Sequence, residues 1–258
     1  MDNIFTYSSY KMILESMQHI GEIFSFNSLR MDINSGFILR HDIDFSVEKA
    51  YEMSKIENEL DIKSTYFVLT TSDVYNINSK RNRKMLIDMD KNGFEIGLHF
   101  DPTIYGNIHL EKMHIEVQKE INIIENIVGN KVKTISLHNP SIHNSYPVFI
   151  GYKNSYSEEF FNTDLYISDS CKSFRGKDVY KFIEKGRNNL VQVLFHPIHF
   201  SEKRENYISS FNRIIKDKIE SFDKSMHINK TYVAELNQST LLESFVNYVL
   251  EDNYGKKI

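Results

Sequence analysis

Nine side chains in this sequence have the types and spacing to do chemistry together: His41, Asp42, Asp44, His99, Asp101, His138, Asp169, His196 and His199. Asp42 and Asp44 are two residues apart, so extended backbone points both side chains to the same face. Two carboxylates that close repel, and one would hold a proton unless a cation lies beside them. A divalent ion removes the conflict: one carboxylate binds it and the other is free to act as a base toward water. Aspartate and histidine together suit zinc or a similar first-row ion, and three protein ligands leave a position open for water. Helix capping is the plainer role for this stretch, and Ser46 is its best candidate. Nucleophilic catalysis has no motif here: there is no Gly-x-Ser-x-Gly elbow, no His-Glu-x-x-His helix and no phosphate loop. The lone cysteine, Cys171, reads as an inert buried thiol.

Short β-rich runs at 36–41, 62–69, 94–99, 132–137, 165–168 and 190–195 alternate with helical patterns at 46–60, 80–91, 109–128 and 178–185. Helices near 205–222 and 240–251 close the chain. In the 109–128 helix, Ile115, Ile121, Ile124 and Val128 are expected inward. The basic cluster Lys80, Arg81, Arg83 and Lys84 reads as a solvated helix face. Repeated strand–helix units predict a parallel sheet, with a barrel preferred to an open sheet. Each chemical cluster then falls at the C-terminal end of a strand, the edge where parallel α/β folds assemble their sites.

With 258 residues and no linker or repeat, the chain reads as one domain, 1–258, with a barrel core at 36–200 and helical additions at both ends. A net charge of −4 gives no footprint for nucleic acid. No apolar run suits a membrane span, and residues 1–10 do not read as a signal peptide, so a cytoplasmic location is expected. One cysteine excludes an internal disulfide.

The ordered segments Leu39-Arg-His-Asp-Ile-Asp-Phe45, Glu95-Ile-Gly-Leu-His-Phe-Asp101, Ser136-Leu-His-Asn-Pro-Ser141, Tyr166-Ile-Ser-Asp-Ser170 and Leu194-Phe-His-Pro197 resemble the polysaccharide deacetylase family with its NodB-type homology domain. The resemblance is nearest to the deacetylase-like branch of bacterial surface-polysaccharide (lipopolysaccharide-type) gene clusters. It implies a distorted (β/α)7 barrel and a metal-dependent hydrolase that removes an acetyl-like group from an amino sugar or glycan intermediate. It assigns Asp42 as catalytic base, Asp44 and His99 as metal ligands, His196 as general acid and Asp169 as its partner. Two departures stand out: Thr103 replaces the second histidine of the family's His-x-x-x-His pair, and His138-Asn-Pro140 replaces a segment carrying arginine. His138 is therefore expected as the third ligand, with Asp101 the runner-up, around one divalent ion, zinc first among them. The alternative is a barrel without catalysis that binds glycan or a partner protein.

In the cytoplasm the expected substrates are nucleotide- or lipid-linked assembly intermediates. Tyr75, Tyr105, Tyr146, Tyr152 and Tyr156 are candidates to stack on sugar rings, and 146–161, with Phe149 as well, is the candidate lid over a small substrate.

Overall fold

The computed structural model describes residues 4–254; Met1 and Asp2, part of the expectation about the chain start, lie outside them. The chain divides into two compact units, Met1–Arg204 and Glu205–Ile258.

The first unit is built on a parallel sheet. Its strands are β1 (Ile23–Phe24), β2 (Gly36–Ile43), β3 (Thr65–Val68), β4 (Glu95–Phe100), β5 (Thr134–Leu137), β6 (Lys153–Asn154), β7 (Tyr166–Ser168) and β8 (Leu190–Phe195). The order is β6-β5-β4-β3-β2-β8-β7, with β1 paired beside the start of β2. Helices α1 (Tyr7–Ile20), α2 (Val47–Glu59), α3 (Lys80–Lys91), α4 (Leu110–Val128), α5 (Pro140–His143) and α6 (Val179–Ile183) complete it. The fold is a distorted (β/α)7 barrel, as expected. Its sheet curls without a ladder between β6 and β7 among the described residues. The Gln192 side-chain amide spans that gap, donating to Ser155 O at 3.1 Å and Phe160 O at 2.8 Å.

Period-two alternation sorts every strand. On β2, Phe37, Leu39 and Ile43 pack toward the helices, while Ile38 meets Phe26, Phe67 and Phe160 inside the barrel. On β4, Ile96, Leu98 and Phe100 join the outer core, leaving Glu95, Gly97 and His99 to the interior. A Cβ at Gly97 would lie 2.6 Å from the Phe67 ring and 2.7 Å from Thr134 Oγ1. Gly97→Ala is therefore expected to destabilise the protein by about 1–3 kcal/mol through overpacking. A urea midpoint equal to that of the wild type would show that the interior has slack there.

Several sequence expectations shift. Strand β2 runs two residues beyond 41, and β3 is only Thr65–Val68, because Ile62 packs in the turn before it. Ser46 caps α2, accepting from Lys49 N at 3.2 Å. Ile115 is exposed: the buried face of α4 is Val117, Glu120, Ile121, Ile124 and Ile127, and Ile115 lies about 200° around from Val117. Cys171 is exposed, on a turn with φ +57°, and is not a buried thiol. The sequence reading located neither β1 nor β6, each two residues long.

A layer of buried polar groups lies on the helix side of β2. His41 points away from the barrel, its Nε2 2.8 Å from Glu57 Oε1. Glu57 also accepts from Tyr10 at 2.6 Å, Tyr66 at 2.5 Å and Ser64 at 2.5 Å. Burial, then the Glu57 charge, pushes both phenols well above their ordinary pKa, so they remain donors.

The second unit holds α7 (Tyr207–Met226), α8 (Lys230–Leu236) and α9 (Leu241–Tyr254). Asp223 of α7 ties the three together, accepting from Tyr232 OH at 2.7 Å and Leu241 N at 3.2 Å. No helix among the described residues is long and apolar enough to cross a membrane.

Candidate metal centre

The C-terminal ends of four strands, β2, β4, β5 and β8, meet at one place. Arg40 and Asp42 lie on the inner row of β2, and Asp44 follows one step beyond the strand. His99 comes from β4, Ser136 from β5, with His138 just past its end, and His196 follows β8. His138 N donates to Phe100 O at 2.8 Å, which fixes the ends of β4 and β5 together.

Asp44, His99 and His138 form a triangle. His99 Nε2 is 3.2 Å from Asp44 Oδ1, His138 Nδ1 is 3.5 Å from the same oxygen, and the two ring nitrogens are 3.2 Å apart. Two imidazole nitrogens and a carboxylate oxygen thus converge on one point. A tetrahedral ion with bonds of about 2.0–2.1 Å separates its ligands by about 3.3–3.4 Å. The triangle matches that spacing, and the donor set is one zinc accepts. Asp42 Oδ1 and Asp44 Oδ1 are also buried without a hydrogen-bond partner. The residues fit a divalent ion.

Burial would raise the Asp44 carboxyl, but the facing imidazoles of His138 and His99 and the charge of His196 hold it well below the usual carboxylate range. His138 shifts the other way: burial lowers it, and Asp44 more than restores it, so its net shift is upward.

Asp42 sits beside the triangle, its Oδ2 3.8 Å from His99 Nε2. That oxygen accepts from Arg40 Nη2 at 3.1 Å and Ser136 Oγ at 3.4 Å. Arg40 is fully buried, donates to Tyr156 OH at 2.8 Å and has its guanidinium carbon 4.7 Å from the centre of that ring. On the other flank, His196 Nε2 is 4.0 Å from Asp44 Oδ2. Buried Asp169 holds His196 through Nδ1 at 2.6 Å and the backbone N at 3.0 Å, and holds His199 Nδ1 at 2.8 Å. Burial disfavours the charged His196 ring, yet the Asp169 carboxylate outweighs it and raises the ring to about 9. Asp169 in turn stays well below its ordinary range: the two imidazoles overcome the cost of burial. Asp169, His196 and His199 could also gather around an ion. Their facing atoms, however, are already joined by hydrogen bonds.

Asp101 lies outside the triangle. Its Oδ1 accepts from Thr103 N at 2.9 Å and Thr103 Oγ1 at 2.6 Å, capping the turn Pro102–Tyr105. The aromatic lid expected over 146–161 is also corrected. Phe149 is fully buried against Phe100, Tyr156 is spent on Arg40, and Tyr152 bonds Gln118 at 2.8 Å. Tyr75 bonds Ile43 O at 2.8 Å and Tyr105 bonds Glu120 at 2.7 Å, which leaves Tyr146 as the exposed ring of the candidates. Arg40 and Ser136 escaped the sequence reading as site residues. Alternation alone would have found Arg40, two residues before Asp42.

No family model matches the chain, and no curated protein matches it. Several solved structures are similar in fold. A CE4 family pseudoenzyme from Bacillus anthracis aligns at 16% identity and TM-score 0.41, over 71% of this chain and 60% of that one. A chitin deacetylase from Colletotrichum lindemuthianum aligns at 16% identity and TM-score 0.45, over 77% and 87%. A family 4 carbohydrate esterase from Bacillus anthracis aligns at 15% identity and TM-score 0.43, over 80% and 84%. This chain thus spans under two thirds of the length of the pseudoenzyme.

Proposed function

We propose that the protein is a metal-dependent hydrolase that removes an acetyl-like group from an amino sugar during assembly of a surface polysaccharide. The observation that carries this reading is the Asp44–His99–His138 triangle, with Asp42 on one side and the Asp169-held His196 on the other. The order of the sequence motifs that resemble polysaccharide deacetylases supports it. The exposed, unpaired Cys171 suits a reducing compartment, and the reaction is assigned to the cytoplasm.

Asp44, His99 and His138 would hold the ion, which when bound supplies Lewis acidity toward an acyl carbonyl. The remaining work belongs to the chain. Arg40 and Ser136 occupy one oxygen of Asp42, leaving Oδ1 to take the proton of the attacking water. His196, its Nδ1 engaged by Asp169, presents Nε2 to the site and gives a proton to the departing amine. The balance is amide plus water to carboxylic acid plus amine, with the nitrogen receiving the proton of His196.

Zinc content and acyl release measured on the same preparations test the reading. Wild type is expected to hold about one ion per chain, and Asp44→Ala and His99→Ala are expected to lose most of it. Full metal binding with no release from nucleotide-linked, lipid-linked or polymeric acylated sugars would overturn the hydrolase in favour of a glycan-binding barrel.

A further inference from the structure

Among the described residues of the first unit, seven of the ten exposed large apolar side chains follow β4 and β5, the others being Met12, Met31 and Tyr180. Ile104, Leu110, Ile142 and Tyr146 are 50%, 50%, 74% and 45% exposed, and all lie on the two connections that follow β4 and β5. Ile115, Val148 and Ile150 are exposed farther along the same stretches. Residues 102–110 (PTIYGNIHL) and 138–152 (HNPSIHNSYPVFIGY) contain no Asp, Glu, Lys or Arg, although the chain as a whole is 26% charged. Exposed Thr103, Asn107, His109, Ser141, His143 and Asn144 are interleaved with them, so the surface is mixed but without formal charge, and its apolar share marks a contact rather than a solvated loop.

Its place relative to the site follows from the topology. β4 and β5 are neighbours, and the turn Pro102–Tyr105 and helix α5 leave their ends side by side, joined by the His138 N to Phe100 O bond. The same two strand ends carry His99 and His138. The Tyr146 ring centre is 6.0 Å from that of Tyr156, whose hydroxyl meets Arg40. The apolar rim therefore borders the Asp44–His99–His138 triangle, and whatever is attached to the reacting sugar on this side lies over it.

That chemistry selects among carriers. A nucleotide diphosphate calls for cationic partners, and neither segment offers a lysine or arginine. A sugar polymer in water gains little from isoleucine and leucine. A protein covering the rim would obstruct the approach to the triangle, whereas a lipid surface supplies apolar contact and the substrate together. Exposed isoleucine and leucine with a tyrosine among them suit a bilayer interface. We propose that the 102–110 and 138–152 rim seats on a lipid surface, and that the acylated sugar is presented there on a lipid carrier. The carrier part rests on the deacylase reading, and the choice of a lipid over a protein takes the triangle as a substrate site; vesicle binding itself is measured without turnover.

Flotation of the full chain with neutral phosphatidylcholine vesicles tests the surface part without any turnover. Wild type is expected to float. Ile104→Glu/Ile142→Glu is expected to lower partitioning at least tenfold, with zinc content and unfolding midpoint unchanged. The single variants Ile104→Glu and Ile142→Glu should each lower it in part, which guards against a folding failure of the double variant. A wild type that stays in the aqueous layer, or a double variant that floats like wild type, would overturn the proposal. So would a wild-type dimer in light scattering that the double variant dissolves, because a second copy would then cover the rim. Vesicle binding without acyl release from any sugar would sink the hydrolase and leave the surface standing. Acyl release without vesicle binding would do the reverse.

Discussion

Asp42→Asn and His196→Gln are each expected to slow acyl release by about 10²–10⁴ while leaving the metal content at its wild-type level. The division of labour follows from distances. Asp44 Oδ1 is 3.2 Å from His99 Nε2, whereas the nearer Asp42 oxygen is 3.8 Å away and already accepts from Arg40 and Ser136. His196 uses Nδ1 on Asp169 and has only Nε2 to offer the site. Asparagine keeps the shape of Asp42 and removes its basicity; glutamine removes a ring that can be protonated. Metal analysis and rate on the same preparations separate the two roles. Loss of the ion with activity in Asp42→Asn would make Asp42 a ligand and exchange the assignments of the two aspartates.

Glu57→Ala is expected to destabilise the protein by about 3–5 kcal/mol, the scale for breaking a buried charged network by removing one member. Glu57 is fully buried and is the shared acceptor of His41, Tyr10, Tyr66 and Ser64. Without it, four buried polar groups on α1, β2, β3 and the turn before β3 lose their common partner. Glu57→Gln retains one acceptor oxygen and should cost less. Urea unfolding reads both variants as a lower midpoint at unchanged slope. A shift below about 1 kcal/mol for Glu57→Ala would show that these donors find other acceptors. Metal uptake should persist in whatever fraction remains folded, because the network lies on the opposite face of β2 from the triangle.

The strand ends were legible because their signal is local. Short apolar runs ending in His99, His138 and His196 mark both a buried strand and the edge where its polar residue emerges. The fold class followed from their alternation with helices. What was not legible depends on contacts between distant segments. Glu57 and Glu120 occupy helix positions where periodicity calls for apolar residues, and only the donors from other elements explain them. Glu120 accepts from Thr70 and Tyr105, and burial still pushes its carboxyl up. Tyr156 looked like a loop tyrosine, because nothing local announces a buried arginine 116 residues earlier. His41 and Asp42 are adjacent and equally polar, yet the pleat sends one to the helix layer and the other to the barrel.

The gap in the barrel has a consequence for self-association. An open sheet has two edges whose free amides and carbonyls can recruit a strand from another molecule. Here those edges are β6 and β7, only two and three residues long. Gln192 reaches across from β8 to carbonyls of the segment that follows β6, and the rings of Tyr156, Phe161 and Tyr166 meet tilted or edge to face nearby, their centres 5.0–6.3 Å apart. Little unpaired backbone is left in a row, so the molecule keeps an unsealed barrel without offering a template for fibrils. Lengthening β7 with a designed run of β-branched residues would remove that protection, and aggregation would rise with no change at the Asp44–His99–His138 triangle.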